Sequence, residues 1–147
     1  MGKNIIRAAG CIVFRDISGH LQVLLVGGSK SEPDYWGFPK GHKKSREPIE
    51  ATAVREVREE TGMRVEILAL VGASEYPVRH KNKLRDKQVR YYLARAYKGS
   101  IADKDDELQY VVWLSLDQAA QTVTYDADRA LLSRARTLVD AWYRDML

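Results

Sequence analysis

Three glutamates, Glu56, Glu59 and Glu60, stand at positions i, i+3 and i+4 of a stretch that opens at Pro48 and closes at Gly62. Proline suits the first position of a helix, where its missing N–H has no partner to lose. Glycine readily takes the left-handed conformation that ends one. Between them Ile49, Ala53, Val54 and Val57 form an apolar stripe. At about 100° per residue the three acids share one face of that helix. Like charges so placed repel by some tenths of a kcal/mol per pair. A hard divalent cation removes the repulsion, because Mg²⁺ or Mn²⁺ prefers carboxylate and carbonyl oxygens. Mg²⁺ also keeps several waters and binds together with substrate phosphates. The plainer alternative is a solvated acidic face, with Arg55 and Glu59 as an i,i+4 pair.

The rest of the chain predicts a sheet for this helix to pack on. Residues Ile5 to Arg15 and Leu21 to Val26 read as strands, with Ser18-Gly19 as the corner between them. A loop follows over 27–34, then a short aromatic extended piece from Tyr35 to Gly41. Val65 to Tyr76 and Gln88 to Tyr97 read as long strands flanking a basic segment, and Glu107 to Leu114 as another strand. Ser115 is placed to cap a short helix through Ala120, and a longer helix fits Asp126 to Met146, where Leu131, Ala135, Leu138 and Trp142 recur at three and four residues. Strands, helix, strands, helix predict an α/β protein, a mixed sheet packed between helices. The 147 residues suit one domain spanning 1–147.

Composition excludes several classes. The single cysteine, Cys11, rules out a disulfide scaffold and a zinc site built on two or more thiolates, and it fits a reducing compartment. No stretch approaches 18 consecutive apolar residues, so no membrane span is expected. The start shows neither a secretory signal nor, with Ile6 in place of Ser or Thr, a myristoylation signal; the expected location is cytoplasmic. The net charge of +4 is mild, but its distribution is not. Arg79, Lys81, Lys83, Arg85, Lys87 and Arg90 fall in one segment with His80, opposed only by Asp86. Such a segment suits a substrate with several negative charges, with Lys81 and Lys83 as candidate substrate contacts; it also fits a plain solvated hairpin.

Gly41, Glu47, Arg55, Glu56, Val57, Glu59, Glu60, Gly62 and Met63 match, with no position failing, the signature box of the Nudix hydrolases. That box is Gly, five residues, Glu, seven residues, Arg-Glu, an aliphatic, any residue, Glu-Glu, any residue, Gly, an aliphatic. Average residue usage gives a chance match on the order of 10⁻⁹ per starting position. The resemblance covers box residues 41–63, and the strand order on both sides is similar to the family's α/β/α sandwich. It implies hydrolysis of a phosphoric anhydride by in-line attack of water, a reaction governed by positioning and charge neutralisation. It further implies that Glu56, Glu59 and Glu60 hold Mg²⁺ or Mn²⁺, with a carbonyl from Gly41. Arg55 would orient the carboxylates and Glu47 would brace Arg55. Glu56 is the first choice for general base. Glu107, six residues before Trp113, is the alternative and a further candidate metal ligand. The box departs from many relatives in reading Lys44-Ser45-Arg46-Glu47 where they carry Glu-x-Gly-Glu.

The approach to the box, Trp36-Gly37-Phe38-Pro39-Lys40-Gly41-His42, resembles that of the diadenosine polyphosphate hydrolases, as does Val89-Arg90-Tyr91-Tyr92-Leu93-Ala94-Arg95. By that resemblance Lys40 and His42 approach the polyphosphate. Tyr91 stacks on a base, with Tyr92 its neighbour on the opposite face of the strand. Both tyrosines have a structural alternative as core or cross-strand packing. The expected function is therefore Mg²⁺-dependent cleavage of a dinucleoside polyphosphate such as diadenosine tetraphosphate. The alternatives are a nucleoside triphosphate pyrophosphohydrolase, a diphosphoinositol polyphosphate hydrolase, and a non-catalytic module that binds nucleotide or RNA. The expected partner is a small nucleotide or polyphosphate, with no membrane, and nucleic acid only as an RNA 5′ end; the oligomeric state is left open.

Overall fold

A computed structural model of the chain describes residues 5–104 and 108–146. The strands are β1 (Ile6–Ile17), β2 (His20–Ser29), β3 (Trp36–Gly37), β4 (Lys40–His42), β5 (Met63–His80), β6 (Lys83–Gly99) and β7 (Leu108–Ser115). The helices are α1 (Ile49–Thr61), α2 (Leu116–Thr122) and α3 (Asp126–Met146). The sheet runs β3-β2-β1-β6-β5, with β4 added to β1 and β7 to β2. β1 and β6 pair in parallel and the other pairs are antiparallel, so the sheet is mixed as expected.

β1 shows why helices cover both faces. Its side chains alternate from one face to the other, and all of Ala8 to Phe14 that carry a side chain are buried. Ala8, Ile12 and Phe14 join Leu25, Tyr91 and Leu93 under Leu131, Leu132, Ala135 and Val139 of α3. Ala9, Cys11 and Val13 join Leu24, Val26 and Tyr92 on the other side, under Ala53 and Val57 of α1. The result is the α/β/α sandwich. Burial pushes the Cys11 thiol up to about 12, so it behaves as a small apolar residue.

The predicted caps form. α1 starts after Pro48 and ends on Gly62, which takes φ +78 while its N–H donates to the Arg58 carbonyl at 2.8 Å. Ser115 closes a full capping box with Gln118 at the head of α2. α3 spans the residues expected of it.

One expectation needs correction. The basic segment, expected as a loop or hairpin between two strands, is a hairpin, and its arms are the strands themselves, which run further than expected. β5 and β6 run on past the body of the sheet and close at Lys81 and Asn82, both with positive φ. This outer ribbon lacks the apolar alternation that marks a half-buried strand, so no periodicity announced it. Inside the body, β5 is the edge of the sheet. Its pairing shifts register at three places between Arg64 and Gly72, and Arg134 of α3 donates to the Val71 carbonyl at 2.9 Å.

Candidate active site

The box folds as β4, a loop and the whole of α1, and Arg55 ties the three together. Its Nε–H donates to Glu47 Oε2 at 2.7 Å and its Nη2 to Glu47 Oε1 at 3.0 Å, a two-pronged ion pair. Nη2 also reaches the His42 carbonyl at 3.0 Å. Glu47 in turn accepts from the Thr52 hydroxyl at 2.7 Å and the Lys44 N–H at 3.1 Å. These donors hold the Glu47 carboxyl down at about 2, the Arg55 guanidinium being the chief cause. The bracing role expected of Glu47 therefore has a geometric basis.

Arg55 also meets the repulsion on the acidic face. Its Nη1 lies 2.9 Å from Glu56 Oε1 and 3.2 Å from Glu59 Oε1. Glu56 and Glu59 thus converge on a guanidinium. Glu60 Oε2 accepts from the Lys40 N–H at 2.9 Å, which fastens β4 to the helix. Among the described residues, no three acidic, cysteine or histidine side chains already surround a single point as a ready-made cation site.

The donor chemistry still fits a hard cation. Glu56 and Glu60 open on one cleft beside Gly41. A β-carbon on Gly41 would fall on the Glu56 carboxylate, so only glycine lets the carboxylate lie against this stretch of main chain. Carboxylate and carbonyl oxygens side by side are what Mg²⁺ or Mn²⁺ takes.

The cleft holds about 850 Å³ and divides chemically. One part carries Lys40, Gly41, His42, Glu56, Glu60 and Lys87. Burial, with the Lys40 charge adding to it, lowers the Lys87 amine to about 8. Burial first, then Lys87, His80 and Lys40, hold His42 below its ordinary value and so neutral at pH 7. The other part is aromatic, with Tyr35, Phe38, Tyr76, Tyr91 and Tyr125 around Asp128. Tyr91 meets Phe38 edge-on, with ring centroids 5.9 Å apart. The Tyr35 hydroxyl is buried with no hydrogen-bond partner among the described residues. Asp128 is only 6% exposed, and burial raises its carboxyl.

A family model described as NUDIX domain matches residues 5–135. The chain belongs to the Nudix hydrolases. These enzymes act on phosphoric anhydride bonds and generally use divalent metal ions. The chain is 36% identical over 110 residues to a putative mutator protein MutT4 of Mycobacterium tuberculosis, matching 75% of this chain and 44% of the relative. It spans less than half the length of the mycobacterial relatives it matches. It is 28% identical over 130 residues to an asymmetrical bis(5′-nucleosyl)-tetraphosphatase of Caenorhabditis elegans, matching 88% of this chain and 94% of the relative. A crystal structure of a C. elegans Ap4A hydrolase binary complex superposes with a TM-score of 0.71 at 25% identity, covering 92% of this chain and 98% of the other.

Of the residues singled out from the sequence, Lys40, Gly41, His42, Glu56, Glu60 and Tyr91 share the cleft. Glu59 stands outside its lining, its side chain 41% exposed and held by Arg55. Tyr92 is a core residue under α1, because neighbours on a strand point to opposite faces and Tyr91 takes the cleft side. Lys81 sits at the hairpin turn and Lys83 one step beyond it, both outside the cleft lining. Glu107 lies outside the described residues. Trp36 packs against Tyr110, with ring centroids 5.7 Å apart. Sequence reasoning missed Tyr35, Tyr76 and Asp128, and it read Lys87 only as part of a charge run. Asp128 gave no signal, since an acid in the first turn of a helix is ordinary.

Proposed function

We propose that this Nudix hydrolase cleaves the polyphosphate chain of a dinucleoside polyphosphate such as diadenosine tetraphosphate, with Mg²⁺ as its metal. The observation that carries the reading is the cleft itself. It joins the box carboxylates to an aromatic wall through Lys40 and Lys87, within the volume range of a nucleotide-sized site. Glu56 and Glu60, with the Gly41 carbonyl, would hold Mg²⁺, and Glu59 would complete the set by leaving Arg55. Bound there, the ion neutralises charge that develops on the anhydride oxygens.

The chain's own residues do the rest. Lys40 and Lys87 draw the phosphates into the cleft, and a desolvated cation attracts them more strongly than a hydrated one. Glu56 takes a proton from the attacking water, and Arg55 keeps that carboxylate aimed. Tyr91 and its aromatic neighbours cover one base. A compact inositol polyphosphate has no flat base to use this wall, which sets that alternative below the nucleotide readings.

Asp128 favours a second reading, a nucleoside triphosphate pyrophosphohydrolase selective for guanine-type bases. A buried carboxylate on the aromatic side accepts hydrogen bonds. Guanine presents ring N–H and amino donors on one edge, whereas adenine presents an acceptor at its ring position. A turnover screen over dinucleoside polyphosphates, nucleoside triphosphates, nucleotide sugars and diphosphoinositols decides between them, run with Mg²⁺ and with chelator. The expected result is the highest kcat/KM on diadenosine tetraphosphate and none without metal. Faster turnover of guanine triphosphates would install the second reading. Nucleotide binding with no turnover of any substrate would reduce the site to a binding module.

A further inference from the structure

The phosphate end of the cleft holds an amine that no described carboxylate pairs. Residues matched across neighbouring strands point to the same face of a sheet. β1 lies between β4 and β6, with Ala8 matched to His42 and Val89, Gly10 to Lys40 and Tyr91, and Ile6 to Lys87. Lys40, His42, Tyr91 and Lys87 therefore share one face, and all four line the cleft. Ala8 and Gly10, the β1 residues between them, put nothing taller than a methyl group in the way. Lys87 is half-buried. Among the described residues, no carboxylate lies within ion-pair distance of it. The Lys40 charge reaches it, and its own charge reaches His42.

An amine so placed can act as a nucleophile. Burial first, and then the Lys40 charge, disfavour its ammonium form. At about 8, against an ordinary 10.5, it holds about three-hundredfold more free amine at pH 7, and its weaker basicity offsets part of that gain. A phosphate that settles on Lys40 brings whatever is bonded to it within reach of Lys87. In a polyphosphate that neighbour is another anionic phosphoryl group, whose charge turns a lone pair away. In the mixed anhydride of a phosphate and a carboxylic acid it is a carbonyl carbon, flat and uncharged, which an amine attacks. A cleft that accepts phosphoric anhydrides can hold this mixed anhydride by the same phosphate contacts.

We propose that Lys87 is a covalent modification site for acyl phosphates, which seat their phosphate on Lys40 and transfer their acyl group to the Lys87 amine. The inference rests on Lys40 and Lys87 meeting phosphate, as in the function proposed above, but not on which nucleotide is cleaved. In the step, Lys87 Nζ bonds to the carbonyl carbon, and the bond from that carbon to the phosphate oxygen breaks. The electron pair leaves with the phosphate, which takes up the amine's proton, and Lys87 becomes a neutral amide. The charge that draws a polyphosphate into the cleft is then gone. Acyl phosphates thereby act as brakes on the hydrolase.

The test is peptide mass spectrometry of the full chain, with Mg²⁺, after timed exposure to acetyl phosphate at pH 7. Lys30, Lys81, Lys83 and Lys98 are exposed and stand outside the cleft lining, so they serve as internal references. Lys87 should be acetylated at least about tenfold faster than any of them. The neutral ester p-nitrophenyl acetate has no phosphate to seat and should show at most about a third of that preference. Inorganic pyrophosphate, which takes the same contacts, should slow acetylation of Lys87 about tenfold and leave the reference lysines unchanged. The acetylated protein should show KM for diadenosine tetraphosphate raised about tenfold, with a smaller change in kcat. The inference is overturned if Lys87 reacts no faster than the reference lysines, if the ester shows an equal preference, or if pyrophosphate gives no protection. Absence of labelling beside normal hydrolysis of diadenosine tetraphosphate overturns this inference alone. Selective labelling of a protein that leaves the dinucleotide intact supports it and removes only the dinucleotide reading.

Discussion

Replacing Arg55 by alanine should cost the fold more than it would at an exposed ion pair, and the cost should fade in acid. The side chain is 16% exposed, and Glu47 and Glu56 are 13% and 15% exposed. Alanine removes both prongs on Glu47, the bonds to Glu56 and Glu59, and the tie to the His42 carbonyl. Removing one member of a largely buried, hydrogen-bonded pair costs about 3 kcal/mol. For a chain of this length that lowers Tm by about 6–12 °C. The pH dependence identifies the cause. Glu47 is held at about 2, below its ordinary 4.5, so its share of stability is complete above the ordinary value and is lost as pH falls toward the lowered one. Urea unfolding of wild type and Arg55→Ala, in chelator, should show the full gap at pH 7. The gap should shrink below pH 4.5 and fall to about half or less by pH 3. A gap under about 1 kcal/mol at pH 7, or one that ignores pH, would refute the clamp.

Three further outcomes follow from the site. Gly41→Ala should lower kcat by about a hundredfold with little change in Tm, because its β-carbon displaces the Glu56 carboxylate; steady-state kinetics at saturating Mg²⁺ with a parallel melt checks this. Glu59→Gln should lower kcat at least about tenfold and raise the Mg²⁺ concentration needed for half-maximal rate; an unchanged metal titration would remove Glu59 from the ligand set. Lys87 is charged below about 8, so wild-type kcat/KM on a polyphosphate should fall as pH rises through that value. Lys87→Met should be slower below it and lack the step, and a step that persists belongs to another group.

Elements with strong local chemistry were legible in the sequence. Pro48 and Gly62 marked α1, Ser115 marked α2, and the three-and-four spacing from Leu131 to Trp142 marked α3. Ser18 and Gly19, both at positive φ, marked the first hairpin. The outer half of β5 and β6 was not legible, because a ribbon with little core beneath it need not alternate apolar and polar residues. The site divided in the same way. The box residues stand in one short segment whose spacing is set by helix geometry, so their grouping could be read. Tyr35, Tyr76 and Asp128 come from a loop, a long strand and a distant helix. Nothing local distinguishes them, and only the closing of α3 over the sheet brings them together. Arg55 was legible as a partner of Glu59 and as the residue that orients the carboxylates; that one nitrogen, Nη1, holds Glu56 and Glu59 together shows only in the structure.

The broken register of β5 has a consequence for crowded solutions. An unguarded outer strand offers a row of amides and carbonyls on which a second molecule can zip. Here the ladder shifts three times between Arg64 and Gly72, and a guanidinium from α3 is parked on the Val71 carbonyl. Two copies meeting along the inner half of this flank, between Arg64 and Gly72, find no continuous template there.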